Sequence, residues 1–154
     1  MPSAPKTTVR VAQPEDLETL VRFVKGVAKE SEGRDLDDET VRRGLRSALG
    51  SPSSVATYLM AERDCVPVGC LMLTKEWSDW TAAWYWWIQS VYVTPAQRGS
   101  GVLDALYDEL KRRAKAADVK SLRLYVESDN KTAIAAYERL GMTPAPYRVF
   151  SDDL

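Results

Sequence analysis

The spacing of hydrophobic and polar residues changes several times along the chain, and each change predicts a new secondary-structure element. A short alternating segment at 8–11 predicts a strand, and apolar positions at helical spacing over 17–27 predict a helix after it. A polar break at 30–36 ends that helix, and a second amphipathic segment runs from Asp37 to Gly50. The N-terminal third is therefore expected to be a strand followed by two helices with a polar loop between them.

The rest of the chain predicts further strands and two more helices. Alternating segments bounded by short polar turns indicate strands, whereas apolar residues three and four apart indicate helices. In order, the predicted elements are strands at 55–63, 66–76 and 82–93, a helix over 103–114, a strand at 121–126, a helix over 131–140, and a closing strand or strand pair at 143–150. We expect an α/β (α+β) fold in which one mixed sheet of about six to seven strands is flanked by about four helices. It would form a single domain over 1–154, with residues 1–7 flexible.

The amino-acid composition favours one globular domain and disfavours several classes of binding partner. Of the 154 residues, 45% are hydrophobic, which is enough for the core of one domain. The 21 basic and 22 acidic residues give a net charge of −1, so neither a nucleic-acid partner nor a membrane partner is expected. No apolar run is long enough to span a membrane and the start lacks the apolar centre of a secretion signal, which predicts a cytoplasmic location. The chain has no histidine and only two cysteines, Cys65 and Cys70, so no metal site is expected.

A glycine loop lies between the strand that ends near Val93 and the helix that follows it. Gly99 and Gly101 permit a tight turn, so that several backbone N–H groups converge at a helix N-terminus, where the helix dipole favours an anion. The segment therefore predicts a pyrophosphate-binding loop. The alternative is that the two glycines only form an ordinary turn between a strand and a helix, and the loop sequence by itself does not exclude this.

A second strand-loop-helix unit lies downstream and changes this interpretation. The pattern V-x-P-x-x-R-G-x-G runs from Val93 to Gly101, and N-x-x-A-x-x-x-Y-x-x-x-G runs from Asn130 to Gly141. Together the two segments resemble the cofactor-binding motifs of the GCN5-related N-acetyltransferase (GNAT) superfamily. The resemblance covers residues 55–150, whereas the N-terminal third agrees with the family only in its order of elements.

The resemblance implies acetyl-CoA as co-substrate, with backbone N–H groups of the loop on the pyrophosphate and the preceding strand paired with the pantetheine amides. Asn130 would either cap its helix or hydrogen-bond the pantetheine arm. Leu103 stands where the family usually has glycine or alanine, so its side chain is expected to point away from the cofactor. The residues assigned to cofactor binding are Val91, Tyr92, Val93, Arg98, Gly99, Ser100, Gly101, Val102, Leu103, Asn130, Ala133 and Tyr137.

Acetyl transfer needs a neutral amine and a proton for the departing thiolate. The resemblance places the general acid at Tyr137; the alternative is that its ring only packs and its hydroxyl hydrogen-bonds the sulfur. The base is less determined, because many family members use a carboxylate on the fourth strand, where this chain has Gln89. Glu76, acting through a water, is the assigned candidate. Glu30, Glu32 and water alone are the alternatives.

Five tryptophans cluster with a tyrosine between residues 77 and 87. Strand alternation puts Trp84 and Trp86 on one face and Tyr85 and Trp87 on the other, so about half of the cluster is expected in the core. The other half is then available for an acceptor pocket or a subunit interface, and a purely structural role remains the alternative. The residues assigned to the acceptor are Glu30, Trp77, Trp86 and Gln89.

The favoured function is transfer of an acetyl group from acetyl-CoA to a primary amine by direct attack within a ternary complex. A small-molecule or peptide amine is the expected partner, with a small molecule favoured over a protein. The alternative functions are a non-catalytic acyl-CoA-binding or sensing domain and, third, a structural interaction module. Whether the chain forms a homodimer is left open.

Overall fold

The computed structural model describes residue 3, residues 5–49 and residues 55–154. Within these residues, five strands form one sheet that carries helices on both faces. The strands are β1 (Thr8–Val11), β2 (Thr57–Arg63), β3 (Val66–Ser78), β4 (Ala83–Val93) and β5 (Ser121–Leu124); the helices are α1 (Leu17–Glu32), α2 (Asp38–Leu49), α3 (Val102–Ala116) and α4 (Lys131–Arg139). The predicted end of α2 at Gly50 lies outside the described residues.

The strands follow one another across the sheet in chain order, from β1 to β5. The first three pairs are antiparallel, and β4 pairs with β5 in parallel through residues 85–88. A parallel pair requires a crossover connection, which α3 provides on one face of the sheet. The turn between β4 and α3 is therefore held at the carboxyl end of an internal strand.

Alternation along β2 and β3 sends side chains into two separate cores. On one face, Leu59 and Leu71 pack with α3; on the other, Met60 and Cys70 pack beneath α1 and α2. Because successive strand residues point to opposite faces, both faces of these two strands are buried, and their sequences are nearly continuous apolar runs. The sheet is thus a central layer between two helical layers.

The predicted count of six to seven strands is wrong, because residues 143–150 form no strand and the described sheet has five. Pro144 and Pro146 lack the backbone N–H that a sheet ladder requires, which explains why this segment does not pair. The side chains of Tyr147 and Phe150 are exposed. The number of helices within the described residues agrees with the prediction of four.

The end of the first helix and the aromatic cluster also differ from expectation. The first helix continues to Glu32 and ends at Gly33, which adopts the left-handed conformation with φ of 63°. Of the five tryptophans only Trp86 is buried, whereas Trp80 lies at the tip of the hairpin and is 92% exposed. The end of the β3–β4 hairpin thus extends past the helices that cover the sheet.

No described helix is both long enough and apolar enough to cross a membrane. The expected flexibility of residues 1–7 stays a prediction, since residues 1, 2 and 4 are not described. Within that segment, the Thr7 hydroxyl oxygen accepts a hydrogen bond of 2.8 Å from the Arg63 guanidinium.

Candidate active site

The glycine loop has the backbone geometry that its sequence predicts. Gly99 and Gly101 have φ values of 71° and 93°, in the left-handed region that side chains disfavour. The first hydrogen bond of α3 runs from the Ala105 nitrogen to the Gly101 oxygen, at 3.1 Å. The Arg98 N–H of the preceding turn donates to the Pro95 carbonyl at 3.3 Å, whereas the N–H groups that follow it have no acceptor within the helix and are available to an anion.

Arg63, at the end of β2, fixes this loop from the interior of the protein. Its guanidinium donates to the Gln97 side-chain oxygen at 2.7 Å, to the Ser100 hydroxyl at 2.9 Å and to the Ser100 carbonyl at 2.6 Å. The residue is only 9% exposed. Sequence reasoning missed it, since an arginine that ends a strand before a polar turn is usually solvated.

Arg98 ties the loop to α1. Its guanidinium donates to the Glu30 carboxylate at 2.5 Å and to the Val93 carbonyl at 2.9 Å, and it lies 5.6 Å from the centroid of the Tyr92 ring. The structure thus brings together two residues that were assigned to different ligands. Glu30 is paired with the loop and is not a free carboxylate at an acceptor site.

The edge of β4 that leads into the loop is open. Its parallel pairing with β5 ends at Ile88 and Leu124, so the described residues provide no β5 partner for the stretch from Gln89 to Val93. Val91 and Val93 pack against the core under α3, whereas Tyr92 faces α1. An open edge of this kind can pair with the amide groups of an extended ligand.

The second motif forms α4 and its N-terminal cap. The Asn130 side-chain oxygen accepts a hydrogen bond of 3.1 Å from the Ala133 nitrogen, which shows the capping role. Arg139 donates to Asp104 at 2.8 Å and so joins α4 to the first turn of α3. Burial raises the pKa of Tyr137, so its phenol remains protonated at neutral pH, as a general acid must be.

Three further residues that the sequence singles out lie in the first turn of α3 and on β4. Val102 is buried in the core below the first turn of α3, and Leu103 beside it is half-buried. Gln89 lies on β4, where its amide donates to the Thr74 hydroxyl at 2.8 Å. A carboxylate is therefore absent from this position, as the sequence indicates.

The residues assigned around the hairpin lie away from this edge. Glu76 pairs with Tyr85 in the strand register and contacts Arg123 at 3.8 Å. Tyr85 is four residues from Gln89, or about 13 Å along the strand. The Trp77 ring packs edge-on against Trp84, with ring centroids 5.1 Å apart. These contacts disfavour Glu76 as the base and Trp77 as an acceptor contact.

Trp86 was assigned to the acceptor, but its side chain is in the core. It is 8% exposed and belongs to the apolar cluster under α3, with the Lys75 ammonium 5.6 Å from its ring centroid. The alternation of Trp84 and Trp86 on one face is consistent with the sequence, yet only the second is covered by a helix. A buried ring of this kind cannot contact a soluble acceptor without a rearrangement of the core.

A cavity of about 270 Å³ lies between the C-terminal half of α1 and the sheet. Its lining comes from α1, the loop after it, β2, β3 and β4, which is why no single sequence motif reveals it. The lining residues are Val24, Val27, Ala28, Ser31, Glu32, Arg34, Leu36, Tyr58, Cys70, Met72 and Ser90. Ser90 lies within the open stretch of β4, so the cavity and that edge are neighbours.

Comparison with known proteins agrees with this geometry. A family model described as the acetyltransferase (GNAT) family matches residues 19–142. The chain belongs to the GNAT acetyltransferase family. A possible acetyltransferase from Clostridium difficile 630 has the same fold, with a TM-score of 0.89 and 32% identity over 96% of this chain and 97% of that one. The resemblance noted from the two motifs is thereby confirmed.

Two further similar proteins give less information about this chain. An aminoglycoside N-acetyltransferase in complex with CoA superposes with a TM-score of 0.78 over 99% of this chain and 98% of that one, but at 15% identity this shows the fold alone. Mycothiol acetyltransferase from Corynebacterium glutamicum (strain R) is 40% identical over 65 residues, which are 40% of this chain and 22% of that protein. The match thus spans about a fifth of the length of this curated relative.

Proposed function

We propose that the protein is an N-acetyltransferase that moves an acetyl group from acetyl-CoA to a primary amine by direct attack in a ternary complex. The observation that carries this proposal is the open edge of β4 running into the glycine loop and the N-terminus of α3. GNAT acetyltransferases use acetyl-CoA and act on amine acceptors. The open strand edge would face the pantetheine arm of acetyl-CoA, and the loop that follows it along the chain would face the pyrophosphate.

The loop would bind the pyrophosphate through backbone N–H groups from Gly99 to Leu103, at the positive end of the α3 dipole, since the Arg98 N–H already donates to Pro95. The edge from Val91 to Val93 would pair with the pantetheine amides as an added strand. This arrangement would leave the thioester beside Gln89, where β5 no longer covers β4. Acetyl-CoA itself supplies a carbonyl carbon that an amine can attack.

Tyr137 is proposed to complete the transfer as general acid. As the carbon–nitrogen bond forms and the carbon–sulfur bond breaks, the nitrogen loses one proton and the sulfur gains one. The neutral phenol would donate the proton that the thiolate takes, and it would recover a proton from solvent. Its burial suits this role, because desolvation keeps the phenol protonated until the sulfur acquires charge.

No side chain is proposed as the base. An alkyl amine with a pKa near 10 is only about 0.1% neutral at pH 7, so it must lose a proton before attack. The three carboxylates considered each contact an arginine: Glu30 with Arg98 at 2.5 Å, Glu32 with Arg34 at 3.5 Å and Glu76 with Arg123 at 3.8 Å. We therefore propose that water accepts the proton.

The test is calorimetric titration with acetyl-CoA, followed by measurement of thiol release with a panel of amines. The Tyr137→Phe variant should bind acetyl-CoA like the wild type and lose most of its turnover, on the order of 10²-fold. Unchanged turnover would remove Tyr137 from the mechanism. Failure of the wild-type protein to bind acetyl-CoA would remove the proposed cofactor site.

A non-catalytic acyl-CoA-binding or sensing domain is the second candidate, because Gln89 stands where many relatives have a catalytic carboxylate. Tight binding of acetyl-CoA without amine-dependent thiol release would favour it. A small-molecule acceptor, a cytoplasmic location and a homodimer stay predictions alongside the main proposal.

A further inference from the structure

The C-terminal half of α1 leaves part of its apolar stripe uncovered. Leu20 and Phe23, in the first half, are 0% and 4% exposed. Val24, Val27 and Ala28, which continue the same helical face, are only half-buried and line the cavity above the sheet. The helix therefore presents an apolar surface that the rest of the described chain does not fill.

The floor of the cavity is also uncharged. Tyr58, Cys70 and Met72 form it from β2 and β3. Burial raises the pKa of the Tyr58 phenol and of the Cys70 thiol to about 12 each, so both groups are neutral at physiological pH. A charged group placed on this floor would lose its hydration without gaining a counter-ion, which is strongly unfavourable.

Among the described residues that line the cavity, the charged ones are Glu32 and Arg34, which are exposed at the rim and 3.5 Å apart. Ser90 is the lining residue that β4 contributes, and it pairs with Met72 in the register. The cavity thus has an apolar floor and wall, and a polar margin at the end that adjoins the open strand edge. Its volume of about 270 Å³ is close to the lower limit of roughly 300 Å³ for ligand pockets.

From this arrangement we infer that the acceptor is a monoamine with a small apolar substituent, which enters the cavity between α1 and the sheet while the amine nitrogen stays at Ser90. The inference rests on the proposed acetyl transfer. It adds a substrate class: a short alkylamine or arylalkylamine, and not a polyamine, an aminoglycoside or any other acceptor with several charges. A second ammonium group on the substituent would have to occupy the uncharged floor.

Hexylamine and cadaverine make a matched test, because they have the same number of non-hydrogen atoms and differ in whether the far end is a methyl or an ammonium group. With acetyl-CoA as donor, we expect kcat/KM to be at least about tenfold higher for hexylamine. Equal rates, or faster transfer to cadaverine, would overturn the inference and leave the acetyltransferase proposal intact. Absence of thiol release with every amine tested would overturn that proposal itself, and with it the inference.

A cavity-filling substitution tests the location. Ala28→Leu should raise the KM for hexylamine about tenfold while the affinity for acetyl-CoA stays at the wild-type value. Ala116→Leu makes the same change at an exposed position at the end of α3 and should alter neither quantity. An unchanged KM in folded Ala28→Leu protein, with acetyl-CoA binding retained, would exclude the cavity as the acceptor site.

The same cavity has the chemistry to take the alkyl chain of a longer acyl donor, so the donor must be varied as well. With hexylamine as acceptor, acetyl-CoA should be a better donor than hexanoyl-CoA, since the amine substituent already fills the space. Faster transfer from hexanoyl-CoA would assign the cavity to the acyl group and overturn the inference. Met72→Ala, which enlarges the floor, should shift the preference from hexylamine toward octylamine.

Discussion

One arginine determines the shape of the loop that is proposed to bind pyrophosphate. The Arg63 guanidinium makes four hydrogen bonds, three to the loop and one to Thr7. Its planar fork can reach these acceptors together, whereas the single ammonium of lysine cannot. We expect Arg63→Lys to raise the KM for acetyl-CoA about tenfold, with kcat changed by less than about twofold, because the loop no longer holds its N–H groups in position.

Arg10→Lys is the control for that prediction. Arg10 lies on the neighbouring strand β1 and also makes several hydrogen bonds, to Asp16 and Glu62, but none to the glycine loop. Both variants should lose stability in urea unfolding, and only Arg63→Lys should change the KM for acetyl-CoA. An equal rise in KM in the two variants would show that Arg63 acts through general stability and does not position the loop.

Helix α3 begins at a glycine whose backbone conformation is disfavoured for residues with a side chain. Gly101 has φ of 93°, and a methyl group added there would meet no atom within 4 Å, so the backbone angle alone imposes the requirement. Gly101→Ala should cost about 1–2 kcal/mol in the free energy of unfolding. It should also weaken acetyl-CoA binding, since relief of the strain moves the first turn of α3.

The same substitution in α2 should have the opposite effect on stability. Gly44 is an exposed glycine inside that helix, with open space around its α-carbon. Alanine there should stabilise the protein by roughly 0.5–1 kcal/mol, because it reduces the conformational entropy of the unfolded chain. Urea unfolding of both variants measures whether each substitution lowers or raises the free energy of unfolding. Destabilisation by Gly44→Ala would show that the contrast with Gly101 does not come from the backbone angle.

Local signals sufficed for the elements whose residues interact mainly with near neighbours in the chain. The strand at Thr8–Val11 and the loop ending at Gly101 follow from alternation and from glycine spacing. The closing strand at 143–150 was wrong, because the alternation there is interrupted by prolines that cannot donate to a ladder. The alternation of apolar and polar residues does not reveal that these prolines lack the backbone N–H that a sheet requires.

The parts of the site that could not be predicted depend on contacts between distant segments. Arg63 reaches Ser100 across 37 positions of sequence, and Glu30 reaches Arg98 across 68. The cavity has lining residues from five parts of the chain, and the apolar positions of α1 that line it look like ordinary core positions in the sequence. Which half of an apolar stripe is covered is decided by packing, and packing is set by the fold and not by the local pattern.

An ionic cluster near the N-terminus holds together β1, the turn before α1, and β2, which lies some fifty positions further along the chain. Arg10 on β1 makes a two-pronged contact with Asp16, which precedes α1, and a further contact with Glu62 on β2. Asp16 also accepts a hydrogen bond of 2.7 Å from the Gln13 nitrogen and is 8% exposed. The hydrogen bonds from Arg10 lower the pKa of Asp16, and they outweigh the effect of burial, which acts in the opposite direction.

The stability of the molecule should therefore depend on the ionisation of Asp16. Because its pKa is lower in the folded than in the unfolded state, the unfolded state binds more protons at acidic pH. The stabilisation is complete well above the ordinary aspartate pKa of 3.8 and is lost as the pH falls toward the lower folded value. Asp16→Asn should be less stable than the wild type at pH 7, and the difference should shrink below about pH 4.

Urea unfolding between pH 7 and pH 3 measures this difference directly. Asp152→Asn removes one carboxylate from the exposed C-terminal segment and so makes the same change in net charge without touching the cluster. It should leave the pH dependence of the wild type unchanged. If Asp16→Asn and the wild type lose stability in parallel as the pH is lowered, the cluster joins the three segments through packing and geometry, and the charge of Asp16 adds nothing to it.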